Sequence, residues 1–248
     1  MAELRQLWSR LIFHHSLTAP NLETGLGYFQ TTYMDYRSIP RISNSDLTEL
    51  HNHIFGINRP KPVAAFAFGS LVHSLILEPD SNPDVPTGVS LDWLAIERIS
   101  EIAAGDEHLQ TLLRTSKKEQ VILWDCPDTG LLLKSKIDIV QRRKSLVVDL
   151  KTTSEKTFDS FMQSALKYDY NRQAAFYLDA AGCKSFGFSV IQKVAPFNIW
   201  HIEFDTDSEF IQAGRKKYKR LLRDWKQREV MGNPFTPSTW TTHELQPT

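Results

Sequence analysis

Asp149 and Lys151 close a run whose earlier members, Leu146, Val147 and Val148, are apolar and mostly β-branched, the composition of a buried strand. Side chains alternate across a strand, so Asp149 and Lys151 share one face while Val148 and Leu150 take the other. Asp138 sits in the preceding apolar run, Leu131 to Val140, and the polar turn Arg142-Arg143-Lys144 separates the two. Hairpin pairing of these runs brings both carboxylates together. Carboxylates forced close repel unless a proton or a cation stands between them. A hard divalent cation with oxygen ligands and retained waters relieves that repulsion, with Mg²⁺ the usual occupant and Mn²⁺ a substitute. Such an ion activates water and neutralises charge at a scissile phosphate. A lysine beside it stabilises developing negative charge or positions the attacking water. The same spacing fits a solvated strand end with a surface ion pair between Asp149 and Lys151, so spacing alone leaves both readings open.

The elements that must hold these residues follow from the pattern along the chain. Residues 1–41 lack a sustained period and read as a lead-in, with a short helix near Leu4 to Phe13. Ser43 or Ser45 caps a helix running to about Phe55. After Pro60 and Pro62 a second helix spans Val63 to Leu77, stopped by Glu78-Pro79, and a Pro/Asp/Asn/Gly-rich loop extends to Gly88. Helices over Leu91 to Ala104 and Glu107 to Thr115 come next. Gln120 to Trp124, Leu131 to Val140 and Ser145 to Leu150 read as strands of an antiparallel meander, the first two joined by the turn Pro127-Asp128-Thr129-Gly130. Helices over Phe158 to Tyr168 and Asn171 to Ala181, strands over Phe186 to Val194 and Phe197 to Phe204, a basic helix from Asp207 to Arg228 and a Pro/Thr-rich tail complete the chain. The pattern predicts one α/β domain with a helical N-terminal portion.

The 248 residues suffice for one sizeable core, and 41% hydrophobic with 23% charged residues is ordinary for a globular protein. The formal net charge is +0, so no global positive field draws in a polyanion, and any nucleic-acid contact must use a local basic patch. Cys126 and Cys183, the two cysteines, form neither a zinc spacing nor a disulfide framework, which points to a reducing, cytoplasmic setting. Arg10, His14 and His15 interrupt the apolar stretch at the N-terminus, against a signal peptide. Val63 to Leu77 is too short to span a bilayer. The expectation is a soluble protein without membrane contact.

Lys136-Ile-Asp138, followed by Val148-Asp149-Leu-Lys151-Thr-Thr153, resembles the signature of PD-(D/E)xK nucleases, in which two acidic residues and a lysine lie on adjacent strands. Gly69-Ser-Leu-Val-His73-Ser-Leu-Ile-Leu-Glu78-Pro79, Ile42-Ser-Asn-Ser-Asp-Leu47, Glu119 and Tyr170-Asn-Arg-Gln173-Ala-Ala-Phe-Tyr177 narrow the resemblance to the exodeoxyribonuclease VIII (RecE)-like, largely phage-borne group. That group is related to the RecB nuclease domain. The matching segments run in the family's order from about Tyr33 to Asp179.

The resemblance implies a restriction-endonuclease-like core, a central mixed sheet with an antiparallel meander flanked by helices, occupying residues 42–230, with 231–248 as a tail. It implies His73, Asp138, Asp149 and Glu119 around the metal, and Asp138, Asp149, Lys151, Gln173 and Tyr177 in catalysis. Gln173 and Tyr177, one helical turn apart, project from one face, where they would contact a DNA phosphate or hold Lys151. Turned the other way, Tyr177 is core. His73 on its apolar helix also fits a packed histidine, and Glu119 a solvated strand edge. Thr152 and Thr153 would bond backbone or phosphate nearby. Further implications are 5′-to-3′ degradation of DNA in recombination or end processing, a ring-shaped homo-oligomer and a single-strand annealing partner protein. Related nucleases with iron–sulfur clusters need four ligating cysteines, which two cannot supply. Two alternatives stay open: a catalytically inactive nuclease fold that binds DNA or a partner, and a hydrolase of small phosphoesters. The remaining histidines, His108 and His201 among them, follow no metal spacing. The basic run Arg215 to Arg220 fits phosphate contact or a solvated helix face equally.

Overall fold

Five apolar runs form one mixed sheet, β1 (Lys117–Asp125), β2 (Leu132–Gln141), β3 (Leu146–Thr153), β4 (Ser185–Gln192) and β5 (Ile199–Asp205), side by side in chain order. The structure is a computed structural model that describes residues 36–58, 62–81, 83 and 87–241. Its helices are α1 (Asn44–Ile54), α2 (Val63–Leu77), α3 (Trp93–Gly105), α4 (Glu107–Thr115), α5 (Phe158–Lys167), α6 (Tyr170–Ala181), α7 (Glu209–Val230) and a last turn, α8 (Ser238–Thr241). The helix expected near Leu4 to Phe13 lies outside the described residues.

β1, β2 and β3 are the expected antiparallel meander. β4 then runs parallel to β3, and β5 antiparallel to β4. A parallel neighbour needs a crossover, which α5 and α6 provide. They lie with α1 and α7 on one face of the sheet, where Leu50, Phe161, Phe176 and Trp225 pack on Ile137, Val147, Phe186 and Phe188. α2, α3 and α4 cover the other face, where Val72, Ile99 and Leu109 meet Ile139, Val148 and Leu150. Full burial of each such side chain contributes about 1.5–3 kcal/mol. This is the α/β core with a helical N-terminal portion that the pattern predicts. No helix among the described residues is long and apolar enough to cross a membrane.

Caps explain where the helices begin. Ser43 starts α1 with a capping box: its backbone N–H donates to Asp46 Oδ2 at 2.8 Å, and Asp46 N–H donates to Ser43 Oγ at 3.3 Å. Asp92 accepts from Ala95 N at 3.0 Å and sets the start of α3 at Trp93, two residues later than the apolar pattern suggests. Asp106 does the same for α4 through Leu109 N at 2.7 Å. After α7 the described residues return to the domain: Phe235 packs edge-on against Trp225 at 5.3 Å, and Ser238 N–H donates to the Glu49 carboxylate.

The basic run of α7 is largely engaged in ion pairs with its own fold. Arg215 pairs with Asp179 at 2.7 Å, Lys217 with Asp169 at 2.6 Å and Lys219 with Asp128 at 2.9 Å. Here α7 crosses the start of α6 at Gly214, where an added Cβ would fall 1.8 Å from the Asn171 carbonyl oxygen. Gly214→Ala is therefore expected to cost about 3 kcal/mol, at the upper end for overpacking, because the obstacle is backbone. Urea unfolding reads this directly, and an unchanged midpoint would show that the two helices tolerate separation.

Candidate active site

The β2–β3 ladder is short. It pairs Gln141 with Leu146, Val140 with Val147 and Ile139 with Val148, and then stops. The next pair in that register would be Asp138 with Asp149, and there the strands part. The Leu150 N–H donates instead to Asp138 Oδ2 at 2.8 Å, so a carboxylate takes the place of a main-chain acceptor. The disturbance reaches β1. Glu119, flanked by the pairs Lys118–Ile139 and Gln120–Ile137, has φ +52°, a left-handed conformation that residues with a Cβ seldom adopt. Side chains of β2 also change phase at this level. Ile137 and Ile139, two residues apart, fall in the cores on opposite faces of the sheet. Such local strain persists only where the surroundings enforce it.

Asp149 and Lys151 point to the α6 side of the sheet, as alternation on β3 requires. Lys151 Nζ lies 2.7 Å from Asp149 Oδ2 and donates to Gln173 Oε1 at 3.0 Å. Gln173 Nε2 donates to Asp149 Oδ1 at 2.9 Å, so one amide from α6 clamps both partners of the ion pair. Tyr170, three residues before Gln173 on that helix, places its ring 4.7 Å below the ammonium. Burial pulls the Lys151 pKa down, but the charge of Asp149 and the neighbouring Tyr170 and Asp138 more than compensate, and it ends raised. The lysine is held as a cation. Tyr177 follows one turn later on the same helix face, half-buried, beside Gln173. Burial first, then the charge of Asp149, pushes its phenol well above the ordinary range, so it stays protonated.

His73 enters from α2 on the opposite layer. Its Nδ1 stands 3.5 Å from Asp138 Oδ2, and burial lowers its pKa, which keeps a lone pair free on the imidazole near neutral pH. Asp138 is raised well above the usual carboxylate range, by burial and then by the charge of Asp149. Asp149 is 2% exposed, and its Oδ2 has the Lys151 ammonium beside it but no aligned hydrogen-bond donor. A buried carboxylate oxygen with unfilled lone pairs, next to a second carboxylate that resists ionising, is a donor set suited to a hard cation.

Glu119 is placed differently from expectation. Its carboxylate is engaged by Lys136 on the neighbouring strand, although its charge still acts on Asp138 and His73. Among the described residues, no three His, Cys, Asp or Glu side chains already converge on one cation position. The arrangement is an open one, with Asp138, Asp149 and His73 around the gap between β2 and β3. Mg²⁺ is commonly held in this way, by one or two carboxylates with waters and substrate phosphate completing its shell. Thr153 Oγ1 accepts from Glu155 N at 3.1 Å, the backbone role foreseen for it. Tyr170 was not expected at the site. Its spacing from Gln173, one turn on the same helix face, was the available signal.

The arrangement makes a prediction for His73. His73→Ala should weaken Mn²⁺ affinity at least as much as the roughly 10- to 100-fold typical of outer-shell partners while leaving the metal-free melting temperature nearly unchanged, since the half-buried ring stands outside the apolar core. Calorimetric Mn²⁺ titration beside a thermal melt tests this. A large drop in melting temperature with unaltered affinity would make His73 a packing residue.

Residues 89–238 match the family described as a PDDEXK-like domain of unknown function (DUF3799). No curated protein matches the chain. Among solved structures, a protein of Eubacterium rectale described as an exonuclease superposes with a TM-score of 0.57 at 15% identity, covering 90% of this chain and 96% of its own. A phage-related exonuclease of Haemophilus somnus gives 0.45 at 12% identity, with 75% and 82% covered. The alkaline exonuclease of Laribacter hongkongensis gives 0.37 at 12% identity, with 78% and 91% covered. The first of these likenesses extends over nearly the whole chain and establishes the shared fold.

Proposed function

The chain belongs to the family of PDDEXK-like domains designated DUF3799, and from that premise we propose that it is a divalent-metal-dependent deoxyribonuclease acting at DNA ends. The observation that carries this reading is the parting of β2 and β3 at Asp138 and Asp149, with Lys151 clamped on the same face. Asp138, Asp149 and His73 would hold the cation, and Glu119 would join them by exchanging Lys136 for it. A bound Mg²⁺ or Mn²⁺ supplies charge neutralisation at the phosphate and a more acidic water.

The protein's own groups do the rest. The Lys151 ammonium, fixed by Asp149, Gln173 and Tyr170, faces the phosphate position and stabilises the negative charge that grows on its oxygens. Its orientation is set before reaction, so little reorganisation is spent at that moment. Gln173 keeps Lys151 and Asp149 in register with each other, and Tyr177, protonated and one turn further along the same helix face, would meet a DNA phosphate or support Gln173. His73, kept neutral by burial, would offer a ring nitrogen to the cation.

Exonucleolytic action rests on the resemblance to the RecE-like group and on the Eubacterium rectale structure, described as an exonuclease. On this reading the nuclease domain spans residues 42–230, preceded by a lead-in of residues 1–41 and followed by a tail. The protein would act in the cytoplasm in recombination or end processing, as a homo-oligomer alongside a single-strand annealing protein. The free thiols Cys126 and Cys183 accord with a reducing compartment. End-labelled linear duplex and covalently closed circular DNA, each incubated with Mg²⁺, separate the modes. An exonuclease degrades the linear form and spares the circle, whereas cutting of both at equal rates would make the enzyme an endonuclease.

A further inference from the structure

Beside the lysine clamp lies an aromatic step whose outer ring, Tyr168, the reaction itself does not use. α5 ends at Lys167 and is capped by Tyr168, whose N–H donates to the Ser164 carbonyl at 2.9 Å. The next residue, Asp169, has φ +57° and ψ +35°, and this left-handed residue reverses the chain between the two helices. Lys217 from α7 pins that reversal through Asp169 Oδ1 at 2.6 Å. As a result Tyr168 and Tyr170 lie side by side, with ring centroids 6.3 Å apart and planes inclined by 34°. Tyr170 is the inner ring, under the Lys151 ammonium. Tyr168 is the outer one, 50% exposed, with Lys167 Nζ 5.5 Å from its centroid. The two ammonium groups and two rings thus follow one another from solvent to the reacting centre.

An aromatic ring half open to water at such a position, with a lysine ammonium over it that an incoming base would displace toward the phosphate, has the chemistry of a base-stacking platform for single-stranded nucleic acid. Bases inside a duplex are covered on both faces by their neighbours, so the ligand assigned to this ring is an unpaired nucleotide near the DNA end. We propose that Tyr168 stacks on one nucleobase of the strand being cut, unpaired at that point, and that Lys167 meets its phosphate. The pair of tyrosines then links strand opening to cleavage: the outer ring takes the base while the inner ring holds Lys151. This rests on the nuclease reading and adds to it a subsite for an unpaired base.

The test uses short single-stranded DNA oligonucleotides, each lacking one base in turn, with binding measured by anisotropy in Ca²⁺. Loss of the stacked base is expected to weaken wild-type binding roughly 5- to 150-fold at one position, the range for a single base–aromatic stack. Tyr168→Ala should cost a similar factor on the intact oligonucleotide and nothing further on the one lacking that base. Tyr168→Trp should restore binding. Tyr168 is half-exposed, so neither variant removes core, and a thermal melt verifies the fold. Losses that multiply, or the absence of any sensitive position, would overturn the stacking subsite. If in that case the wild type still degrades linear DNA in Mg²⁺, the nuclease reading survives alone. If it neither binds nor cuts DNA, both fail.

Discussion

Lys151→Ala is expected to lower single-turnover DNA cleavage in Mg²⁺ by roughly a hundredfold or more, the scale for losing one preorganised charge. A group that acts on the transition state matters far more to turnover than to ground-state binding. Equilibrium DNA binding in Ca²⁺ should therefore change little. The geometry motivates the asymmetry: the ammonium is already bound by Asp149 and Gln173 and lies over Tyr170, so it is positioned before any substrate arrives. The removal also has a structural side. Without the cation, Asp149 and Asp138 face each other uncompensated, so metal-free Lys151→Ala should melt lower than wild type and recover on adding Ca²⁺. If DNA binding falls as far as the rate does, Lys151 is a ground-state phosphate anchor and its assigned role is wrong.

Asp149→Ala should have the largest effect, abolishing cleavage and exceeding the 10- to 100-fold typical of altered outer-shell partners of a metal. The substitution removes little volume, but it leaves the buried Lys151 ammonium without its carboxylate, and breaking a buried pair is costly. Asp149→Asn is the sharper variant, because its amide keeps the shape and can still meet Gln173. Both variants should lose activity, with Asn closer to wild type in melting temperature. Calorimetric Mn²⁺ titration should show weakened binding for both. Wild-type cleavage rates in a folded Asp149→Asn protein would refute the metal-ligand assignment.

The parts of this architecture legible in the sequence are those marked by local signals. α2 begins and ends where Pro62 and the Glu78-Pro79 stop place it, and α4 keeps the bounds its pattern suggests. The shared face of Asp149 and Lys151 follows from strand alternation alone. β3 runs on to Thr153, beyond the expected end at Leu150, because its parallel partner β4 sustains it through the pair Thr153–Gln192. That partner lies some forty residues away in sequence, and the segment Lys151-Thr-Thr153 has no apolar pattern to extend. The parting of β2 from β3 was hidden for a related reason. A regular hairpin would pair Asp138 with Asp149, and only the tertiary setting, with Glu119 in a left-handed conformation and His73 arriving from the far layer, opens the ladder there. Gln173 and Tyr177 follow from resemblance to a family motif that also opens on Tyr170, but the place of the Tyr170 ring under the Lys151 ammonium depends on how α6 docks on β3. Lys136, which occupies Glu119, had no local signal at all, since cross-strand pairs depend on register.

The most direct test of the metal-dependent nuclease reading is a time course of end-labelled linear duplex DNA with purified wild-type protein, in Mg²⁺ and in excess EDTA, with binding recorded in parallel. The site described here predicts labelled mononucleotides or short products accumulating in Mg²⁺, none in EDTA, and restoration when Mg²⁺ or Mn²⁺ is returned. DNA that is bound but never cut in either metal would contradict it and leave a nuclease fold that serves only to bind.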